Sequence, residues 1–289
     1  ETLDPDYATA NWTNANGNID DGVTFSVNCT PGYTYVPDDN FEQALIDLGY
    51  DDTLDDFVLT ENISGVTELN VDSKEISDLT GIEDFTALTI LNCHSNQLTS
   101  LDVSSNTALT ALYCNYNQLT SLDVSSNTAL TDLYCNYNQL TSLDVSNNTA
   151  LTYLWFNHNQ LTSLDVSNNT SLIQLRCNHN QLTMLDVSNN TALTYLWINY
   201  NQFTYLNMKN GVTDALTTFY VTNNSLDCIE VNAEDIDYAT ENWTYENGNI
   251  DEGVTFQEIG CQTINIPAYY STIQAGIDAA NEGATVLVA

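Results

Sequence analysis

Between residues 66 and 226 the apolar positions recur with a spacing of 21. Leu88, Leu91, Cys93 and Leu98 are followed by Leu109, Leu112, Cys114 and Leu119, then by Leu130, Leu133, Cys135 and Leu140. The series restarts at Leu151, Leu172 and Leu193. A looser copy opens at Leu216, and another at Val66, where Lys74 stands in place of the Asn of the other copies. The array therefore has eight copies. A fixed period in the twenties marks a solenoid, because one unit cannot bury its apolar side alone whereas a stack of units can.

Within each copy, LYC or LWF alternates inward, outward, inward, as a short strand does. Successive strands then pair in parallel, about 4.8 Å apart. The Asn after each strand (Asn96, Asn117, Asn138) falls at a turn, where its amide can satisfy backbone groups that the coil leaves unpaired. The second half, LTSLDVSSNTAL, points Leu98, Leu101 and Val103 inward and Asp102 outward, with a further Asn at 106. The predicted coil has two strand-like sides, two tight corners and little room for helix.

These motifs, LxxLxCxxNxL followed by LxxLDVSxN, resemble the leucine-rich-repeat family in its short bacterial 21-residue form, over roughly 66–226. The resemblance implies a curved or flattened solenoid, mostly β with parallel strands, that binds partners on its strand face. It implies no catalysis.

The flanks predict covers for the stack at 66–227. In PDDNFEQALIDLG, residues 37–49, Pro37 and Asp38 start a helix, Phe41, Ala44, Leu45 and Leu48 give it one apolar face, and Gly49 stops it. This helix makes residues 30–65 the N-terminal cap. Residues 6–29 are echoed by 237–261. The later copy follows the last repeat, is preceded by Cys228 and ends in Cys261, so 228–261 reads as a C-terminal cap closed by a disulfide between them. Residues 1–29 then read as the tail of an upstream cap, with Cys29 unpartnered, and the chain as an excised piece of something longer. Residues 262–289 resemble the opening of a right-handed parallel β-helix domain of the pectate-lyase-like class. A short helix from Ser271 and a strand in ATVLVA carry that resemblance. No stretch has the pattern of a signal peptide or a membrane span.

Charge narrows the partners. With 39 Asp and Glu against 3 Lys and Arg, the formal net charge is -36. A phosphate backbone needs a basic footprint, which argues against nucleic acid and, in the same way, against an anionic membrane surface. Of the seven Cys, Cys93, Cys114, Cys135 and Cys177 share one inward position that Phe156, Ile198 and Val221 fill elsewhere. A position that accepts Phe is a packing position, and buried Cys packs as a small hydrophobe. There is no CxxC for a zinc cluster, and the expected disulfide fits an extracellular setting.

The outward positions vary. One column reads Asn92, Tyr113, Tyr134, Trp155, Arg176, Trp197, Tyr220. A second, at the strand end, reads Ser95, Tyr116, Tyr137, His158, His179, Tyr200, Asn223. A third, before the strand, includes Tyr153, Gln174 and Tyr195. The rings either stack on one another as cross-strand pairs or form a ligand-binding surface, since Tyr, Trp and Arg anchor interfaces. On the opposite side Asp102, Asp123, Asp144, Asp165 and Asp186 form a row. These are either turn residues or weak collectors of calcium, although a dedicated calcium site takes six to eight oxygens. Asp20, Asp21 and Asp251 in the cap echoes are similar weak candidates.

No nucleophile with a base, phosphate loop, HExxH or convincing metal triad is present. The expectation is a non-catalytic, cofactor-free binding module of a secreted or cell-surface bacterial protein, acting in protein binding or adhesion. The alternative is a polysaccharide-binding accessory module beside a β-helix enzyme.

Overall fold

The computed structural model describes residues 31–261, together with the strand backbones at 263–266 and 285–288. The expectations for residues 1–29, for Cys29 and for the helix at Ser271 lie outside the described residues.

In chain order, β1 (Tyr33–Tyr35), α1 (Asp39–Asp47), β2 (Phe57–Leu59) and a one-turn helix α2 (Thr60–Ile63) precede the array. The array holds β3 (Glu68–Asn70), β4 (Ile90–Asn92), β5 (Ala111–Tyr113), β6 (Asp132–Tyr134), β7 (Tyr153–Trp155) and β8 (Gln174–Arg176). It continues with β9 (Met184–Asp186), β10 (Tyr195–Trp197), β11 (Tyr205–Asn207) and β12 (Thr218–Tyr220). Next come β13 (Cys228–Glu230), α3 (Ile236–Asn242) and β14 (Thr255–Gln257), and then β15 (Thr263–Ile266) and β16 (Thr285–Val288).

One strand from each of the eight copies enters a single parallel sheet, in the order β12-β10-β8-β7-β6-β5-β4-β3. Its register is that of the repeat: Leu91 faces Leu112, Leu133 faces Leu154, and Trp155 faces Arg176. The inward side chains are fully buried, including Leu112, Leu133 and the column Cys93, Cys114, Cys135, Phe156, Cys177, Ile198.

The opposite side differs from the expectation of a second strand in every coil. Only β9, β11, β13 and β14 form a sheet there. It begins where Ser-Leu-Asp gives way to Met184-Leu185-Asp186 and then to Tyr205-Leu206-Asn207. A large side chain such as Tyr suits a half-buried pleated surface better than Ser does. In the earlier coils this side is a run of turns.

Two Asn columns bind the coils together. Asn117 is buried; its Nδ2 donates to the carbonyls of Cys93 and Cys114 at 3.0 and 3.1 Å, and its Oδ1 accepts from Leu98 N–H at 3.0 Å. At the other corner Asn127 Nδ2 donates to Val103 O and Asn106 O, each at 2.9 Å. Both amides satisfy carbonyls that face away from the sheets, in a place where an unpaired group would be expensive.

The N-terminal cap carries the expected helix, with Asp38 as its N-cap residue. Asp38 does more than start the helix. One carboxylate oxygen accepts from Asn40 and Phe41, and the other from the N–H and hydroxyl of Ser77 and from Asp78 N–H. The helix is thereby tied to the first coil. Lys74 Nζ adds an ion pair to Asp47 at 3.1 Å. The antiparallel β1–β2 pair extends the cap.

At the other end Cys228 and Cys261 are disulfide-bonded, as expected. Trp243 is buried against Phe219, with ring centroids 4.0 Å apart. Elsewhere the N–H groups at the strand-end corner donate to the carbonyls of the next coil, as Tyr116 N–H does to Asn136 O. The last coil has no successor, and the Asp251 carboxylate takes that role, accepting from Asn223 and Asn224 N–H at 2.8 and 2.9 Å. β15 and β16 pair with each other in parallel, Thr263 with Thr285 through Ile266 with Val288. This places a strand within ATVLVA.

Candidate functional site: the aromatic face of the parallel sheet

The outward side chains of the eight-stranded sheet form two ring ladders. The first follows the last position of each strand. Tyr113 and Tyr134 meet at 4.9 Å with their planes tilted by 48°, and Tyr134 stacks on Trp155 at 4.1 Å and 3°. The Arg176 guanidinium continues the pile, 3.9 Å from the Trp155 centroid and 5.7 Å from that of Trp197. Tyr195, two residues earlier on the same face of β10, flanks Arg176 at 4.5 Å, and Trp197 leads on to Tyr220 at 5.9 Å. Tyr153 lies in register with Gln174, beside this ladder.

The second ladder is more regular. Tyr116, Tyr137, His158, His179 and Tyr200 stack in sequence at 4.3, 4.1, 4.2 and 4.4 Å, with planes 9 to 15° apart. Every residue of this column has a positive φ, from Ser95 at 56° through Tyr116 at 54° and His158 at 55° to Asn223 at 59°. The left-handed conformation is uncommon for side chains with a Cβ. Here it turns the chain off the strand so that the next residue, the buried Asn, can reach two coils. It also aims the rings along the solenoid axis, where each one meets its neighbour.

Between the ladders runs a trough of about 490 Å³, lined by Tyr134, Trp155, Arg176 and Trp197 on one side and Tyr116, Tyr137, His158 and His179 on the other. Its floor is a third column, Asn115, Asn136, Asn157 and Asn178. In the sequence this column is the Asn between the two ring positions, as in CNYN; it holds in five of the eight copies and gives way to Asp72, His94 and Thr222 in the others.

Burial pushes the Tyr134 phenol up to about 12, with the Asp132 carboxylate adding to the shift and Arg176 opposing it. Burial also raises Tyr195. Desolvation, then His179, lower His158, so its imidazole stays neutral further into the acid range. The inward Cys are sealed; burial raises the Cys114 thiol to about 12, far from the nucleophilic range.

The Asp row has a plain structural explanation. Asp102, Asp123, Asp144, Asp165 and Asp186 each accept from the N–H of the Ser two residues on, at 2.8 to 2.9 Å. Hydrogen bonds from Ser104 hold the Asp102 carboxyl below its ordinary range. These are Asx turns, the geometry that shapes this corner of the coil. Asp251, another candidate cation ligand, is the backbone cap described above. No group of three or more His, Cys, Asp or Glu is arranged to hold a metal among the described residues, and no helix there is long and apolar enough to cross a membrane.

No family model matches the chain. Internalin J of Listeria monocytogenes serotype 4b (strain F2365) is 43% identical over 72 residues, which is 25% of this chain and 8% of that protein. The functional domain of InlJ from Listeria monocytogenes, which includes a cysteine ladder, superposes with a TM-score of 0.61 at 35% identity, covering 69% of this chain. The chain is a leucine-rich-repeat solenoid related to the Listeria internalins. This solenoid spans 52% of the solved InlJ domain. A further internalin, inlF of the same species, shares its fold at a TM-score of 0.50 and 21% identity, over 78% of each chain. In this chain Cys93, Cys114 and Cys135 are buried at one inward position of successive coils.

Proposed function

We propose that this chain is a non-catalytic recognition module of a secreted or surface-attached bacterial protein, and that it binds a protein partner in adhesion. The binding surface is the face that carries the two ladders and the trough. Residues 66–227 form the module, 30–65 and 228–261 cap it, and 262–289 open a further domain of β-helix type. The relation to internalins supports the class of function. The observation that carries the reading is the concentration of Tyr, Trp, His and Arg on one face of an otherwise acidic solenoid.

The orientation of the rings favours a protein partner over a polysaccharide. A sugar ring packs on the open face of an aromatic ring. Along the second ladder and at Tyr134–Trp155–Arg176 those faces are covered by neighbours about 4 Å away. What remains for a ligand is a corrugated surface of ring edges, hydroxyls and amides. Such a surface offers shape and hydrogen bonds, as protein interfaces do. No calcium is needed in this reading; any binding of the ion by the Asp row is weak.

The test is parallel binding to protein and glycan arrays, with and without calcium, of the wild type and W155A/W197A. The reading predicts calcium-independent protein binding that the double variant loses. Glycan binding lost in the same variant would replace it with the accessory-module alternative.

A further inference from the structure

The chain has three Lys and Arg against 39 Asp and Glu. Two of the three are ion-paired: Lys74 with Asp47 at 3.1 Å, and Lys209 with the buried Glu230 at 2.9 Å. Arg176 has no carboxylate within ion-pair reach among the described residues. Its guanidinium is held by rings alone, over Trp155 at 3.9 Å and Tyr195 at 4.5 Å. An isolated cation in so acidic a chain is placed by packing and left without its natural counter-charge.

The groups around it point to what is missing. Arg176 Nε and the indole nitrogens of Trp155 and Trp197 are sealed from solvent and have no hydrogen-bond partner among the described residues. All three are donors. These three sealed nitrogens are out of a docking group's reach, but they surround the guanidinium with donors and no acceptor, and its two terminal nitrogens, which are not sealed, make no hydrogen bond among the described residues. The guanidinium is also half-buried between rings, where a counter-charge is screened less than on an open surface.

We propose that the centre of the trough seats a carboxylate on Arg176, the aspartate or glutamate side chain of a partner protein whose surrounding surface is basic. The planar fork of the guanidinium matches the two oxygens of a carboxylate, and stacking on Trp155 keeps that fork in place. The basic surround follows from the net charge of -36. A uniformly acidic partner would be repelled before contact, whereas a basic rim is attracted and steered. A uronate could bring the same carboxylate, but its ring would find Trp155 covered on both faces, by Tyr134 and by Arg176 itself. This inference rests on the reading of the aromatic face as the binding surface.

The probe is a short acetylated peptide carrying one glutamate between glycines, with lysines at both ends. It is titrated into the whole chain while the indole N–H signals are followed by NMR. Trp155 and Trp197 report the site, and Trp243, buried in the C-terminal cap, reports the fold. Both site signals are expected to move with the glutamate peptide while Trp243 stays. Affinity is expected to fall about tenfold or more, roughly the loss of one charge-assisted contact, for the glutamine counterpart and for R176M. R176K, which keeps the charge without the fork, should fall between. Site signals unmoved by the peptide, an equal response to its glutamine counterpart, or a response to free glucuronate alone would each overturn the proposal. On the protein array, binding that W155A/W197A loses and R176M keeps would overturn only the carboxylate anchor. Binding that both variants keep would overturn the aromatic face as the binding surface.

Discussion

At the scale of single residues, the repeat is written mostly in Asn. Asn117 satisfies two carbonyls and one N–H in three different segments. Replacing it with Ala strands those groups in a buried corner. The expected loss of stability is about 3 kcal/mol, from the desolvation penalty of the groups left unpaired. Urea unfolding of N117A checks this, and a loss below about 1 kcal/mol would mean that water or a backbone shift replaces the amide. The inward and outward columns were legible in the sequence because a strict 21-residue period lines up each copy. The left-handed backbone at Tyr116, Tyr137 and His158 was not. Nothing in the letters Tyr or His asks for positive φ; the demand comes from the Asn that follows, which has to reach back to the previous coil. That backbone in turn decides that the rings present their edges outward, and ring orientation bears on whether the face suits a sugar or a protein. The trough floor, by contrast, stood in the sequence as an Asn column between the ring columns.

At the scale of elements, the caps close the open ends of the stack with carboxylates. Asp38 ties α1 to the first coil, and Asp251 receives the N–H groups of the last. Burial works against ionisation of Asp38, but the hydrogen bonds from Ser77, Phe41 and Asp78 outweigh it and hold its carboxyl below the ordinary 3.8. A carboxyl depressed in the folded state contributes stability that is present above its unfolded value and lost as pH falls through the folded one. D38N, which keeps the shape and removes the charge, is therefore expected to be less stable than wild type by about 1 kcal/mol at pH 6. The difference should shrink as pH falls below 3.8 and the Asp38 carboxylate takes up its proton, as thermal unfolding over a series of falling pH values can show. A difference that persists at the lowest pH would mean that shape rather than charge makes the latch. The helix of this cap was legible from Phe41, Ala44 and Leu45 and its stop at Gly49; Leu48, expected on the same face, is instead the exposed C-cap residue. The β1–β2 pair was not, because three-residue strands are too short to display a period. The disulfide was legible from the echo between 6–29 and 237–261. The second strand side was overread: Leu101 and Val103 alternate as a strand would, but turns built on Asp102 and its equivalents occupy that side until Met184.

At the scale of the whole molecule, one face differs from all the rest. The solenoid is acidic and its far side consists of Asp-built turns followed by the short sheet that begins at β9, whereas the strand face gathers the rings, the stacked imidazoles and a guanidinium without an ion pair among the described residues. The central claim is that partners meet this face. The most direct measurement compares two triple variants for binding to the protein that the wild type recognises. One is Y137N/H158N/H179N, which removes three rings; Asn tolerates the left-handed backbone and already occupies that column at Asn223. The other is S121N/S142N/S163N, at exposed positions on the far side. The account predicts that the first variant stays folded and loses binding at least tenfold, about 1.4 kcal/mol, while the second binds as the wild type does. Full binding by the first variant, with loss in the second, would place the partner on the other side of the solenoid and contradict the account.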